Sequence, residues 1–491
     1  MIKAQIAKLL VGAALLALLF SGGCGGQGGA INGDPARIAS RGLFPPFDPG
    51  KDRYVSRCGR GAAPIELRAP AGTKVSVGGR YEVGGPIPIR TATPPGSDFP
   101  ITVASHGRAR TYRVRCLPPD FPAWRYEPHR PAPAGLFVVS FKPEHDARPW
   151  VIVFDDEGVP RWWFNPPTRV LWGQVLENGN LVWARSFGDG YGLDPRMAHE
   201  VRSPAGKLLR LVQTQGSIID GHEYRELANG HVLVDTYVPE AANLRRVGGP
   251  QRAAIVSAEV QELDRRGREL WHWNSRGHIR LGETGRWWRS VLSNPRRRQG
   301  RETFDPVHVN SIDPRGRREV VISTRHTDAV YGISRSSGEI RWKLGGSGTP
   351  RSLRIVGDPA HRLLGGQHDA RIGEDGRLSV YDNGKDRPRR PRVVFYRLDP
   401  ANRTARYLGQ LNDPEVRRSH CCGSARELPG GGWLVSWGDN PLVSAFDGQG
   451  RLAFRLHLAA STFRAVPAPP GATSVRALDE GMEAMERGSG G

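Results

Sequence analysis

The sequence predicts an all-β protein, a six-bladed β-propeller preceded by a small N-terminal β-sandwich domain. Three histidines recur at one offset, each eight positions before the glycine of a turn: His222, His308 and His368 before Gly230, Gly316 and Gly376. Apolar runs with period-two alternation follow these turns and flank six further small turns, which is the pattern of antiparallel hairpins. Four strands in each repeated unit are typical of a propeller, although these units of roughly 45–70 residues are longer than the usual 40–50.

The charge is extreme, but its distribution is even. The 491 residues carry a formal net charge of +21, and most basic residues are arginines scattered along the chain. A strongly basic chain is one signature of nucleic-acid binding, in which the charges cluster on one face or arm. Scattered arginines indicate instead a proteome that is generally rich in arginine. We therefore expect no nucleic-acid partner and only some attraction for anionic substrates or acidic surfaces.

Residues 1–24 have the pattern of an export signal, with Lys3 and Lys8 before an apolar run that ends at Phe20. The run is too short for a membrane span of about 20 residues. Cys24 suggests a lipoprotein signal, although Ser21 stands where a branched apolar residue is usual, so lipid anchoring and free secretion both stay open. The predicted location is outside the cytoplasm: periplasmic, extracellular or lipid-anchored at the cell envelope. A Gly-rich linker follows over residues 25–45.

Residues 46–118 form the predicted sandwich, because short alternating segments are separated by Pro and Gly turns. Cys58 and Cys116 lie at its two ends. In an exported chain a disulfide between them is the expected state, and it would stabilise a small core by about 2–4 kcal/mol. Two buried thiols are the alternative.

Residues 119–467 form the predicted propeller. Six outer hairpins turn near residues 156, 204, 265, 336, 401 and 448, and five of them follow an inner hairpin. The segments 136–141 and 461–466 are expected to pair and so to complete the first blade from both ends of the domain. Residues 468–491 are expected to form a flexible tail with at most a short amphipathic helix.

The first strand of each propeller blade lines the central channel, so His222, His308, His368 and His420 are predicted to meet at one mouth. Antiparallel pairing then returns Arg325 and His326 beside His308, and Lys385 beside His368. A long loop over residues 274–305, with Trp287 and Trp288, is expected to cover this mouth and help choose the substrate. A histidine ring with an arginine indicates an anion site, although each histidine could instead satisfy a neighbouring backbone group.

Several of these segments resemble bacterial arylsulfate sulfotransferases. The clearest are Pro306–Ile312, Ile322–His326, Gly366–Ala370 and Tyr381–Gly384, with weaker similarity at Gly221–Glu223 and Gly432–Gly438. The resemblance extends over about residues 119–458. It implies transfer of a sulfuryl group from an aryl sulfate ester to a phenol, without a nucleotide sulfate donor and without a cofactor.

By the same resemblance His368 is the transient nucleophile, with His222, His308 and Arg325 as the supporting catalytic residues. We expect His420, His326, Lys385, Trp287 and Trp288 to bind substrate. The residue types suit this chemistry independently, since a neutral imidazole can act as a covalent nucleophile and a guanidinium can bind sulfuryl oxygens. The Arg-rich loop and the adjacent Cys421 and Cys422 depart from the family pattern.

Other functions remain open from the sequence. Three histidines could bind a transition metal, which would make the protein a metal-dependent hydrolase. The propeller could also be a non-catalytic binding scaffold, because this fold hosts many functions. A weaker hypothesis is a quinoprotein, suggested by a vicinal disulfide between Cys421 and Cys422.

Overall fold

A computed structural model describes residues 42–58, 65–77, 80–89, 96–105, 107–131, 134–141, 148–187, 194–298, 301–360 and 364–488. The predicted export signal, with Cys24, and most of the predicted linker lie outside the described residues. Nearly all regular structure is β. None of the helices among the described residues is long and apolar enough to cross a membrane.

The N-terminal domain contains one mixed sheet with the strand order β1-β2-β6-β5-β3-β4. Its strands are β1 (Leu43–Phe44), β2 (Arg53–Arg57), β3 (Ile65–Val77), β4 (Arg80–Ile89), β5 (Asp98–Ser105) and β6 (Arg108–Leu117). β2 runs parallel to β6 and the other pairs are antiparallel. This pairing gives a single connected sheet and does not confirm the predicted two-sheet sandwich.

The disulfide between Cys58 and Cys116 is confirmed. Their Cα atoms are 5.3 Å apart, and both residues lie in the apolar core of the N-terminal domain with Tyr54, Val75 and Phe99. The bond joins the end of β2 to the parallel strand β6, and so closes a loop that the small core alone would hold weakly.

Six further sheets follow in the described part of the chain, each built on four antiparallel strands. The first sheet contains β8 (Phe137–Phe141), β9 (Val151–Phe154), β10 (Pro160–Phe164) and the late strand β34 (Thr462–Pro467). The second contains β11 (Arg169–Val175), β12 (Leu181–Ser186), β13 (His199–Arg202) and β14 (Leu208–Val212). The third contains β15 (Ile218–Glu226), β16 (Val232–Ala242), β17 (Ala253–Leu263) and β18 (Glu269–Asn274), with β19 (Arg296–Arg298) and β20 (Arg301–Phe304) added along β17.

The last three sheets repeat this order. The fourth contains β21 (Val309–Arg315), β22 (Glu319–Thr324), β23 (Ala329–Ser334) and β24 (Ile340–Gly345). The fifth contains β26 (His368–Ile372), β27 (Arg377–Asp382), β28 (Arg392–Asp399) and β29 (Thr404–Leu411), with β25 (Arg354–Val356) parallel to β29. The sixth contains β30 (Ser424–Glu427), β31 (Trp433–Ser436), β32 (Leu442–Phe446) and β33 (Leu452–Leu458), with β7 (Trp124–Pro128) on its outer edge.

The six sheets form a closed ring. We name β34, β11, β15, β21, β26 and β30 the inner strands, and each contacts the next sheet, with β30 returning to β34. The ring closes through β8 and β34, where Val139 pairs with Ala465 and Phe141 with Thr462. The predicted pairing of the two ends of this domain is therefore present.

An insertion covers one mouth of the ring. This cap comprises residues 239–254 and 280–305: the extended ends of β16 and β17, the strands β19 and β20, a 3-10 segment (Leu281–Trp287) and helix α1 (Trp288–Ser293). It has an apolar core of its own, which includes Leu244, Trp287, Trp288, Val291 and Phe304. The predicted covering loop is thus a small packed unit.

The C-terminal segment differs from the expected flexible tail. Residues Val475–Gly488 form helix α2, which packs on β10 and buries Leu478 and Met482. Arg53 and Arg115 of the N-terminal sheet pair with Asp479 and Glu486 of the helix. These partners lie more than 350 positions away in the sequence, which is why the periodicity of the segment alone did not indicate a docked helix.

A buried charge network lies at the centre of the ring. Glu223 on β15 pairs with Arg371 on β26 and, at 3.2 Å, with Arg464 on β34. Asp369 receives two hydrogen bonds from Arg426 on β30, at 2.8 and 2.9 Å. Burial alone would raise the pKa of Glu223, but the charges of Arg371 and Arg464 lower it to about 2. Four of the six inner strands are therefore joined by ion pairs.

Replacing Arg371 should destabilise the ring severely. Arg371→Met removes one partner of Glu223 and of Asp369 and leaves buried carboxylates under-compensated, which costs about 3–5 kcal/mol. The free energy of unfolding in urea measures the loss. Arg377→Met is the matched control: that side chain is 27% exposed and pairs with Asp375 and Glu427, so about 1 kcal/mol or less is expected. Equal losses for both variants would contradict a central role for the network.

Candidate active site

Beneath the cap lies a cavity of about 280 Å³. All six inner strands contribute to its wall. Leu171, His222, His368 and Phe463 lie on β11, β15, β26 and β34, whereas His308 directly precedes β21 and Cys421 with Cys422 precede β30. The cap contributes Ser290, Val291, Asn294, Arg296 and Asp305, and the remaining walls are Arg325 and His326. The three histidines at equal offset thus meet in one place.

Equivalent backbone irregularities aim these side chains into the cavity. The register of the inner hairpins shifts between Ile219 and Tyr224, between Val309 and Ser311, and between His368 and Arg371. Such bulges re-aim side chains beside functional sites. His308 itself has a φ of 57°, which is unusual for a residue with a Cβ and typical of functional positions.

His368 is held in one orientation. Its Nδ1 donates to Asn383 Oδ1 at 2.8 Å and lies 2.9 Å from the carbonyl oxygen of Gly366. Asn383 Nδ2 in turn donates to Ser419 Oγ and to the carbonyl oxygen of Cys422, which fixes the amide so that its oxygen faces His368. The opposite nitrogen, Nε2, accepts a hydrogen bond from the backbone N–H of Cys422 at 3.2 Å. The proton therefore sits on Nδ1, and Nε2 carries the lone pair.

His222 and His308 are oriented by carboxylates. The Nδ1 of His222 hydrogen-bonds Asp220, and the Nδ1 of His308 lies 2.6 Å from Asp305 Oδ2. The two rings are edge to face with centroids 4.9 Å apart. Burial lowers the pKa of His222 to about 4 and lowers that of His308 well below its usual range. Burial also raises the pKa of Asp220 to about 7, so near neutral pH an ionised fraction of this carboxyl remains and accepts from His222 Nδ1.

Arg325 supplies a positive charge to the cavity wall, next to the histidines. Nη1 donates to His326 Nε2 at 2.9 Å and Nη2 donates to the carbonyl oxygen of His420 at 3.0 Å. Its buried Nε has no hydrogen-bond partner among the described residues. A buried, unsatisfied guanidinium donor is suited to an oxygen of an anionic ligand.

Trp287 supports Arg325 from behind rather than lining the cavity. The guanidinium carbon of Arg325 lies 4.3 Å from the centroid of the Trp287 ring, and that of Arg286 lies 4.4 Å from it. Trp287 Nε1 donates to Asp328 Oδ1 at 2.9 Å, and Arg286 binds the same carboxylate. The cap therefore positions the arginine through one aromatic ring.

His326 lies closer to the site than its place on a predicted strand suggested. On a continuing strand it would point away from Arg325. β22 instead ends at Thr324, and Arg325–Thr327 form a 3-10 turn. The turn brings both side chains to the cavity, with the rings of His326 and His308 4.7 Å apart between centroids.

Besides Trp287, three more of the predicted substrate-binding residues lie outside the cavity wall. The side chain of His420 is 61% exposed and bonds Asp439, because β30 begins only at Ser424 and Cys421 and Cys422 occupy the equivalent position. Lys385 pairs with Asp386 at 2.6 Å. Trp288 is buried in the cap core, where its Nε1 donates to Leu281.

The sequence analysis missed the residues that orient the histidines. Asp220 and Asp305 stand two and three positions before His222 and His308, and an aspartate shortly before each repeated histidine could have revealed them. Asn383 lies in a segment already noted for its resemblance, but its role needed the contact with His368. Phe463 has no local signal, since it reaches the cavity only through the closing strand β34.

Two groups at the cavity offer atoms that could hold a metal ion. They are Asp305 with His308 and His326, and Asp220 with His222 and Asp235; in each group the ligand atoms lie within 4.8 Å of one another. In the first group, however, the guanidinium of Arg325 donates to His326 Nε2. A cation bound there would face a fixed positive charge.

The profile of the arylsulfotransferase (ASST) family matches residues 176–459, more than half of the chain. The chain belongs to the arylsulfotransferase family. Membership implies a sulfotransferase whose substrates are aryl sulfates and phenols, in agreement with the resemblance seen in the sequence. The matched range contains His222, His308, Arg325 and His368.

The similar solved structures are distant. A protein of unknown function from Bacteroides caccae is 12% identical (67% of this chain, 98% of that one, TM-score 0.40). A putative 6-phosphogluconolactonase from Bacteroides fragilis is 14% identical (67% and 96%, 0.36). An inactive variant of virginiamycin B lyase from Staphylococcus aureus is 9% identical (70% and 89%, 0.34). No curated protein matches the chain.

Activity should persist in mild acid. Burial lowers the pKa of His368 well below the 6.5 of an unperturbed imidazole, and the charge of Arg325 lowers it further. The uncharged form therefore persists as the pH falls through 6.5, and the acid limb of kcat/KM for an aryl sulfate should have an apparent pKa below that value. An acid limb centred at 6.5 or above would contradict a buried neutral histidine.

Removing the ring behind Arg325 should slow turnover. Trp287→Ala should lower kcat/KM for an aryl sulfate about tenfold, because a desolvated cation–π contact contributes about 1–2 kcal/mol. Trp287→Phe should lower kcat/KM less, because it keeps an aromatic ring against Arg325. Trp271→Ala is the control, since Trp271 makes the same kind of contact with Arg335 far from the cavity. In an Arg325→Ala background Trp287→Ala should add little, and a full additional loss would mean that the ring acts independently of Arg325.

Proposed function

We propose that this protein is an aryl sulfate:phenol sulfotransferase that works through a sulfohistidine on His368 and needs no nucleotide sulfate donor. The observation that carries the proposal is the state of His368. Its Nδ1 proton is held by Asn383, and the lone pair of Nε2 lies in a cavity shared with two further histidines and Arg325. A neutral, oriented imidazole beside a guanidinium meets the needs of attack on an anionic sulfate ester.

We further propose that the ring of six sheets is a six-bladed propeller and that the protein is exported. The closed order of inner strands and the pairing of β8 with β34 support the propeller. The Cys58–Cys116 disulfide supports export, since such bonds persist mainly in oxidising compartments.

In the first step His368 Nε2 attacks the sulfur, and the bond from sulfur to the aryl oxygen breaks. The phenolate leaves with the electron pair. Arg325 binds the sulfuryl oxygens through planar donors. The imidazole becomes positively charged while sulfated, and Asn383 Oδ1 and the carbonyl oxygen of Gly366 accept from Nδ1 and stabilise that charge. The backbone N–H of Cys422, released from Nε2, remains close enough to donate to a sulfuryl oxygen.

In the second step the acceptor phenol attacks the same sulfur and the bond between sulfur and nitrogen breaks. The phenol must lose a proton, and a neutral His222 or His308 can accept it. Asp220 and Asp305 orient these rings through Nδ1. The carboxylates stabilise the imidazolium that forms, as in other carboxylate–histidine pairs. Donor and acceptor bind in turn, so the kinetics should be ping-pong.

A metal-dependent hydrolase remains the second candidate, supported by the geometry of Asp305, His308 and His326. The contact of Arg325 with that group and the family membership favour sulfuryl transfer. Under the hydrolase alternative, dialysis against a chelator should abolish activity. Under sulfuryl transfer, the same treatment should leave turnover unchanged.

His368→Ala should remove essentially all turnover of an aryl sulfate. Intact-protein mass after brief incubation with an aryl sulfate and no acceptor should show one added SO₃ on the native protein, discharged by phenol. The variant should show none. His308→Ala and Arg325→Ala should each cost about 10²–10³ in rate, by comparison with loss of one oxyanion donor. Intersecting kinetic lines together with an active His368→Ala would assign the reaction to another residue.

The cap should set the range of substrates. A cavity of about 280 Å³ is small for a ligand site and suits an aryl sulfate with one ring. Deleting Gly285–Arg298 would alter substrate choice, but it would also remove the contact of Trp287 with Arg325. Single substitutions separate these two effects. Arg296 lines the cavity from the cap, and its charge is among the groups that lower the pKa of His308.

Arg296→Gln should therefore reduce the preference for a donor with a carboxylate on the ring. The ratio of kcat/KM for 4-carboxyphenyl sulfate to that for phenyl sulfate should fall about fivefold, the effect of about 1 kcal/mol. Arg289→Gln is the matched control, because Arg289 is an exposed arginine of α1 outside the cavity wall. An unchanged ratio in Arg296→Gln would mean that Arg296 does not contact the ring substituent.

A further inference from the structure

Two adjacent cysteines line the cavity, and neither thiol has a part in the sulfuryl transfer described above. Cys421 is partly exposed and Cys422 is buried, and both are thiols in this structure. Both border the cavity together with His368. They also pack against the same apolar cluster, which contains Trp172, Tyr224 and Phe463.

The backbone conformation lets both cysteine side chains reach the same wall. Successive side chains of an extended strand point to opposite sides. Cys422 instead has a φ of 64°, and Gly423 and Gly438 leave no room for a Cβ near Tyr381 and near the carbonyl oxygen of Cys421. A left-handed residue at this position turns the chain before β30. The two side chains can therefore face one cavity.

The backbone N–H and carbonyl groups of Cys422 help to orient the His368 ring. Its N–H donates to His368 Nε2 at 3.2 Å. Its carbonyl oxygen accepts from Asn383 Nδ2 at 3.0 Å, and Asn383 Oδ1 accepts from His368 Nδ1. Both nitrogens of the imidazole are thus connected to the backbone of one cysteine. A rotation of that backbone would disturb the orientation of His368.

We propose that Cys421 and Cys422 are an oxidation site, and that a vicinal disulfide between them reversibly inactivates the enzyme by displacing the Cys422 peptide from His368. The effect on turnover rests on the proposed role of His368, whereas the bond itself can be observed without any substrate.

Such a bond is strained and therefore easily reduced. Disulfides usually join Cα atoms about 4.4–6.8 Å apart, but consecutive Cα atoms are only about 3.8 Å apart across a trans peptide. Closing the bond must therefore deform the backbone between the two residues. Strained, accessible disulfides have the more oxidising potentials that belong to labile and regulatory bonds, unlike structural disulfides. The Cys58–Cys116 bond has an ordinary Cα separation of 5.3 Å.

The oxidant is a low-molecular-weight disulfide. The thiolate of the more exposed Cys421 attacks one of its sulfurs, which forms a mixed disulfide and releases one thiol. The thiolate of Cys422 then attacks Cys421 Sγ, forms the vicinal bond and releases the second thiol. Two protein thiols are oxidised, one external disulfide is reduced, and the protein becomes lighter by two hydrogen atoms.

The test treats the full chain with 2-hydroxyethyl disulfide, a probe small enough for the cavity. The peptide that contains residues 421 and 422 should lose two hydrogen atoms, and kcat for an aryl sulfate should fall at least tenfold in step with that change. Brief treatment with dithiothreitol should restore both. Cys421→Ser, compared with its own untreated sample, should show no loss of kcat, because it lacks the thiol that attacks the probe. Cys422→Ser should stop at the mixed disulfide, so its peptide should gain the mass of the probe and never lose two hydrogen atoms. Both variants should retain the Cys58–Cys116 bond.

Three outcomes would overturn the proposal. The first is a peptide that gains the mass of the probe and never loses two hydrogen atoms, because the pair then cannot close. The second is a closed bond with kcat unchanged. The third is an equal loss of kcat in Cys421→Ser, which would assign the effect to another residue. If the native protein shows no sulfotransferase activity but the peptide mass still changes reversibly, the proposed function fails while the oxidation site stands.

Discussion

The buried pairing of Glu223 with Arg371 and Arg464 is the interaction on which the architecture of the site depends. Each of these residues lies on a different inner strand. On β15 and β26 the acidic residue directly follows the histidine, as in His222–Glu223 and His368–Asp369. In each pair the histidine lines the cavity, and the acidic residue that follows it takes part in the charge network. Ion pairs across the ring therefore fix the relative positions of histidines that are far apart in sequence.

The same burial gives the cavity its chemistry. Desolvation lowers the pKa of His222, His308 and His368, so that the rings are uncharged near neutral pH. Arg325 keeps its charge, because a guanidinium is effectively always protonated. A neutral nucleophile beside a permanent cation can approach an anionic ester. Hydrated, protonated histidines would provide the charge but not the lone pair.

The cap is coupled to this chemistry through Trp287. Its ring separates Arg325, which faces the cavity, from Arg286, which pairs with Asp328 of the fourth sheet region. Arg296, from the same insertion, also lines the cavity. In the proposed mechanism, substrate choice and the orientation of Arg325 therefore both depend on one small packed unit. A substitution in the cap core, for example at Trp288, would therefore affect both substrate choice and the orientation of Arg325.

The sequence by itself determined the β-rich repeat, the hairpin turns, the pairing of both ends and the meeting of His222, His308 and His368, because these follow from local periodicity and turn chemistry. It also determined the disulfide, because two cysteines lie at the ends of one small domain in a chain with an export signal. The expected flexible tail was wrong. Its helix is held by Arg53 and Arg115, distant residues that no local pattern reveals. Tertiary structure alone decided that Cys422 replaces His420 in the ring and that Asn383 holds His368. It also decided that Trp287 supports Arg325 instead of lining the cavity. These contacts depend on where strands end and how neighbouring sheets pack, which a single sequence does not encode locally.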